Sequence, residues 1–176
     1  MSSHSDPMVS QSKHEKKVKI AEFSGRYGTK ILPPPQKPER NTMPTSFDEI
    51  AETFEFLDDW EEKYRYVIEL GRDYDALDEA LRTDALKVDG CASQVWMLPR
   101  IKDGAFSFQG ASDAVIVSGL VAILAALYDN KPFDKSLEIN ALKEFEKLGL
   151  GQNLSAQRSN GLRSMIQKIQ DYLAAA

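Results

Sequence analysis

The sequence predicts an α+β domain, a small antiparallel sheet with helices before and after it. Three observations carry this. Asp103-Gly104 separates two runs that read as strands, Val95 to Ile101 and Phe106 to Gly110, and Asp-Gly is among the strongest two-residue hairpin signals. Ahead of the hairpin, apolar residues recur at helical spacing between Phe47 and Ile68. Behind it lie an apolar run from Ala114 to Tyr128 and a periodic stretch carrying Leu162, Met165, Ile166, Ile169 and Leu173. Helices segregated around an antiparallel sheet define the class.

Residues 1–45 stand apart from this pattern. The first 46 residues hold eight basic and four acidic side chains, whereas residues 47–176 hold 14 and 23. The segment is rich in Ser, Lys and Pro, with Pro33, Pro34, Pro35 and Pro38 crowded together. So few large apolar residues cannot offset the entropy of ordering the chain. Three readings fit it: a disordered tail with a polyproline-like linker, an upstream extension ahead of a true start at Met43, or a basic arm that binds a partner.

The domain itself is expected over 46–176. Ser46 and Glu49 have capping-box spacing and open a helix through Phe47, Ile50, Phe54 and Leu57. Asp58 or Asp59 caps a second helix with Trp60, Tyr64, Val67 and Ile68, and Gly71 is its expected stop. Residues 72–90 lack a period and read as loop with one helical turn near 76–82. Pro99 makes the first strand an edge strand, because proline has no N–H for an interior ladder. Ser112 or Asp113 is the expected cap of helix 114–128, which Asn130-Lys131-Pro132 ends. Short helices follow over 134–139 and 141–148, the second with Leu142, Phe145 and Leu148 on one face, and Gly149 and Gly151 punctuate its end. Ser155 is the expected cap of the last helix.

Composition removes several function classes. A chain of 176 residues carries one well-cored domain. A net charge of −5 argues against nucleic acid, which requires a basic face. The apolar run 114–128 would span roughly 22 Å as a helix, short of a ~30 Å bilayer core, so no membrane partner is expected. The N-terminus lacks the apolar core of a secretory signal, and a cytoplasmic location is the expectation. Both histidines, His4 and His14, precede the domain, so neither a Ser–His–Asp triad nor a histidine-ligated metal centre is expected within it. One cysteine excludes a disulfide framework and any cluster held by several thiolates of one chain. Gly149-Leu150-Gly151 lacks the strand and third glycine of a dinucleotide fingerprint.

Cys91 remains, in Val88-Asp89-Gly90-Cys91-Ala92-Ser93-Gln94-Val95-Trp96. Gly90 permits a tight turn and leaves one flank of the sulfur bare, while Ala92 and Ser93 keep the other low. Two readings stand side by side: a thiol at the tip of a braced loop, or a small buried hydrophobe. An ordinary thiol is only a few per cent ionised at neutral pH, and Asp89 would hold it lower still. Such a group suits an acceptor completed by a partner better than a catalyst acting alone. A one-cysteine peroxidase would need its cysteine at a helix N-terminus, and here a strand follows.

Gly90-Cys91-Ala92-Ser93-Gln94-Val95-Trp96 resembles the GCxSQVW signature of the SufE family, sulfur acceptors of cysteine desulfurases. Asp59 to Gly71, Phe108 to Leu120 and Leu154 to Leu162 resemble three further blocks of that family, in its order. The resemblance implies a SufE/IscU-like α+β fold. It implies that Cys91 takes persulfide sulfur from a SufS-like, pyridoxal-phosphate-dependent desulfurase and passes it to an iron–sulfur scaffold of the SUF system. The cofactor would belong to the desulfurase and this chain would bind none, acting as a non-enzymatic partner, monomer or homodimer. Arg158 matches the family's C-terminal arginine and is expected either to pair with Asp113 or to position the cysteine loop. Gly90, Ser93 and Gln94 are its expected supports. The alternative is a binding module of the desulfurase complex in which Cys91 is inert.

Overall fold

In the computed structural model, residues 46–176 are described; the expectations for residues 1–45 lie outside them. The chain runs through α1 (Phe47–Phe56), α2 (Trp60–Asp73), two short 3-10 turns (Glu79–Leu81 and Asp84–Leu86), β1 (Val95–Lys102), β2 (Ala105–Ser112) and α3 (Val115–Tyr128). It continues through β3 (Lys131–Pro132), α4 (Phe133–Glu138), α5 (Ala141–Lys147), α6 (Leu150–Asn153) and α7 (Ala156–Ala175). The architecture is α+β, with an antiparallel sheet ordered β1-β2-β3.

Local sequence chemistry accounts for the starts and turns. The Ser46 hydroxyl accepts from the Glu49 N–H while a Glu49 carboxylate oxygen accepts from the Ser46 N–H, both at 3.3 Å, completing the capping box. Asp59, of the two candidates, caps α2 by accepting from the Glu61 N–H. Asp103 and Gly104 both have positive φ, 52° and 75°, as a twisted two-residue hairpin demands. Lys102 pairs with Ala105 and the ladder runs without a slip to Val95 opposite Ser112. From that closing pair the bonded pairs alternate, so Pro99 turns its missing N–H away from β2 and toward the outer edge.

The core is organised around α3, ten of whose 14 residues are buried. It packs on β2, where Gly110 makes room for Val121, and on α2. Phe106, Val67, Leu70, Leu120, Ile123 and Leu124 are almost solvent-free. Tyr128 ends α3 edge-on to Phe106, ring centroids 5.6 Å apart. Facing β1, α7 buries Leu162, Met165, Ile166, Ile169 and Leu173 at helical spacing, as its sequence period predicts.

Several expectations are corrected. Gly71 does not stop α2, which continues to Asp73; it is glycine because a Cβ there would fall on the backbone nitrogen of Gly119 in α3. Neither Ser112 nor Asp113 is the N-cap of α3. That position belongs to Ala114, whose N–H donates to the Ser112 hydroxyl, while Asp113 turns to Gln94. One helical turn near 76–82 becomes two, at 79–81 and 84–86. Lys131–Pro132 both ends α3 and pairs with Ala105 and Phe106 as a third strand. Leu142 is exposed, and Ala141 takes its place beside Phe145 and Leu148. Gly151 lies inside α6, and only Gly149, at φ 71°, breaks the chain direction. Ser155 occupies the N-cap of α7, but its carbonyl rather than its side chain is engaged, accepting from Ser159.

Candidate functional site

The loop that carries Cys91 leaves and re-enters the structure at adjacent points. On the incoming side Val88 donates its N–H to the Val95 carbonyl at 2.8 Å, and Lys87 bridges to Trp96 across the edge of β1. On the outgoing side the Asp113 carboxylate accepts from the Gln94 N–H at 2.9 Å while the Gln94 carbonyl accepts from the Asp113 N–H at 3.2 Å. Such a reciprocal clasp fixes where β1 begins. Between these roots Gly90 has φ 80°, so the backbone requires glycine there, and a Cβ would stand 2.7 Å from the Ser164 hydroxyl of α7, which would have to turn aside.

Cys91 is half-buried, and its Sγ donates to the carbonyl of Gly161 on α7 at 3.5 Å. A Cβ on Gly161 would lie 3.4 Å from that sulfur, so a bare glycine lets the tip settle on the helix. The thiol opens on a pocket of about 300 Å³ whose apolar lining includes Ile116, Val117, Leu162 and Met165. Ser93, Gln157 and Arg158 are its polar members. Burial pushes the thiol pKa up, because an anion loses more than a neutral thiol when water is removed. The cause is therefore the pocket rather than Asp89, contrary to the sequence expectation. Resting Cys91 is a protonated thiol facing a carbonyl oxygen, an arrangement that favours S–H over S⁻.

The expected supports divide. Gly90, Ser93, Gln94 and Asp113 all belong to the loop, its roots or its pocket. Arg158 borders the pocket but does not pair with Asp113; its guanidinium lies over the Tyr64 ring of α2, 5.7 Å from the centroid. Gln94 contributes backbone groups while its side chain is exposed. Trp96 is half-buried on the sheet with the Arg82 guanidinium over it. Gly161, Ser164 and Tyr64 were not reached from the sequence, although Gly161 sits in the block after Arg158 that carried the resemblance. A second cavity of about 300 Å³, between α2, α3 and β2, has Asp73, Asp75 and Asp129 at its rim but no nucleophile. Among the described residues no three His, Cys, Asp or Glu side chains gather as a metal site, and no helix is long and apolar enough to cross a membrane.

The structure presents a pocketed thiol on an α+β frame, and a family model described as an Fe–S metabolism associated domain matches residues 48–173. The chain belongs to the SufE family. An uncharacterized SufE-like protein of Rhizobium etli is 50% identical over 139 residues, covering 77% of this chain and 93% of that one. A second, of Rhizobium meliloti, is 50% identical over 129 residues, 71% and 92% of the two chains. The solution structure of a hypothetical protein from Thermus thermophilus matches with a TM-score of 0.62 at 15% identity, over 77% of this chain and 98% of that one, a likeness of fold.

Proposed function

We propose that this protein is a sulfur carrier, accepting sulfane sulfur on Cys91 from a SufS-like cysteine desulfurase and passing it to a SUF iron–sulfur scaffold. The observation that carries the reading is the pocketed thiol at the tip of a loop rooted at both ends. In the transfer, the Cys91 thiolate attacks the outer sulfur of the donor's persulfide. A new S–S bond forms at Sγ, the donor's S–S bond breaks, and the donor cysteine leaves as thiolate. Electrons balance without an added oxidant. No second cysteine exists to resolve the product as an internal disulfide, so the sulfur must be handed on.

The resting thiol is a poor nucleophile because burial keeps it protonated. Attack therefore follows release from the pocket, which returns the thiol to water and to an ordinary pKa, with the base supplied by the partner. Pyridoxal phosphate stays with the desulfurase, this chain acts as its stimulating partner and not as an enzyme by itself, and the encounter takes place in the cytoplasm. Held against Gly161, the idle thiol is shielded from oxidation.

Intact mass measurement after incubation with a desulfurase and cysteine tests the reading. The mass should rise by one sulfur atom, fall back on thiol reduction, and stay unchanged in Cys91→Ser. If Cys91→Ser stimulated the desulfurase as well as the unaltered chain, the carrier role would be wrong. The half-burial of Cys91 would then favour a binding module with an inert cysteine.

A further inference from the structure

On α7, Gly161, Ser164 and Lys168 fall at i, i+3 and i+7 and share one face. The loop lies along that face in reverse order: Cys91 against Gly161, Gly90 against Ser164, and the carbonyls of Lys87 and Ala85 against the Lys168 ammonium, at 2.6 and 3.5 Å. The third contact is unlike the others. Asp89 and Asp171 line the same hollow as Lys168, yet neither comes within 4 Å of its ammonium, and Asp171 instead accepts from the Gln167 side chain. Lys168 directs its charge at backbone carbonyls just upstream of the loop. A charge-assisted donor on a carbonyl is the stronger kind of hydrogen bond, and this one is partly shielded from water. The thiol–carbonyl contact at the tip is by comparison weak, because a thiol is a poor donor.

We propose that Lys168 is a positioning residue for Cys91: by clamping the carbonyls of Ala85 and Lys87 to α7, it fixes the incoming root of the loop so that the thiol moves on residues 89–93 alone. The clamp deepens the sulfur-carrier reading and rests on it for what the moving thiol does. A fixed root keeps the excursion short and returns the thiol to the same pocket. Among the described residues Arg158 is the one charged side chain lining that pocket, and its guanidinium lies over Tyr64, away from Lys168 and the carbonyls it holds.

The test is the rate at which iodoacetamide alkylates Cys91 in the full chain, which requires no desulfurase. Removing a charge-assisted bond from one of two roots should raise the rate about tenfold in Lys168→Met. Lys168→Arg, which keeps charge and reach, should stay within about twofold of the unaltered chain. Asn140→Ala removes the side-chain cap of α5, distant in sequence from the loop, and supplies a destabilised control that should leave the rate unchanged. If Lys168→Met does not fold, Lys168→Gln, shorter and uncharged, is read in its place. An unaltered rate in the uncharged variant, or an equal rise in Asn140→Ala, overturns the clamp. Accelerated alkylation in a chain that takes up no sulfur would instead refute the carrier reading and leave the clamp standing.

Discussion

The α2–α3 crossing and the Cys91 loop both depend on glycines that admit a close neighbour, and they differ in what that neighbour is. At the crossing, a Cβ on Gly71 would fall on the Gly119 nitrogen, and one on Gly119 would fall on the Val67 carbonyl oxygen. Both obstacles are helix backbone, already committed to the hydrogen-bond ladder. At the loop, a Cβ on Gly161 would meet the Cys91 sulfur and one on Gly90 the Ser164 hydroxyl, both side-chain tips able to turn aside. Glycine locks two helices together in the first place, and in the second it lets a tip rest lightly on a helix. The same residue type thus separates a rigid frame from an adjustable site.

The largest test of this contrast is Gly119→Ala. With backbone on the far side the new methyl has no room, and stability should fall by roughly 3 kcal/mol, read as a drop in Tm. A Tm within a degree or so of the unaltered chain would show that the crossing yields as the loop does.

Alkaline titration separates the two regions next. Burial pushes Tyr128 up to about 12 from 10.0. The folded chain therefore keeps a proton that the unfolded chain releases at 10.0. The stability this group contributes is intact below pH 10, declines between pH 10 and 12, and levels off above. Cys91, also raised by burial, begins an earlier decline near its ordinary 9.0. Tyr66 and Tyr74 shift in the same direction. Denaturant melts across this range should show a shallower loss above pH 10 in Tyr128→Phe, with the earlier step untouched. An identical profile in that variant would remove Tyr128 from the account.

The smallest effect is expected at Gly161→Ala. An alanine inside α7 favours the helix by about 0.5–1 kcal/mol, which offsets slight crowding at the sulfur, so Tm should hardly move. Alkylation of Cys91 should rise about twofold as the tip is nudged outward. A large fall in Tm would mean that the loop is as rigid as the helix crossing.

Most of the frame was legible because its signals are local. Ser46 with Glu49, Asp59, Asp103-Gly104 and the α7 periodicity each state a structure within a few residues. What escaped was set by distant partners. Gly71 carries the composition of a helix stop, and only Gly119 explains why it is not one. A two-residue strand such as Lys131–Pro132 has no period to detect and forms because β2 lies beside it. At the site, the Cys91 loop and its glycine stood out from sequence and resemblance. Its resting place did not, since Gly161 is 70 residues away and Lys168 acts through carbonyls that any residue would provide. Asp113 shows both sides: its place before α3 suggested a cap, and its real partner is a backbone amide across the hairpin.

The outer edge of β1 has one further consequence. Near Cys91 it is occupied by the Lys87–Val88 segment, and farther along it is interrupted by Pro99, which has no hydrogen to offer. An open strand beside the thiol would be a template on which any extended peptide could add by backbone pairing, with little regard for its sequence. Here that route is closed at both points. Whatever reaches the sulfur must recognise side chains and shape, so selectivity for any partner of Cys91 is built into the sheet before any specific contact is made.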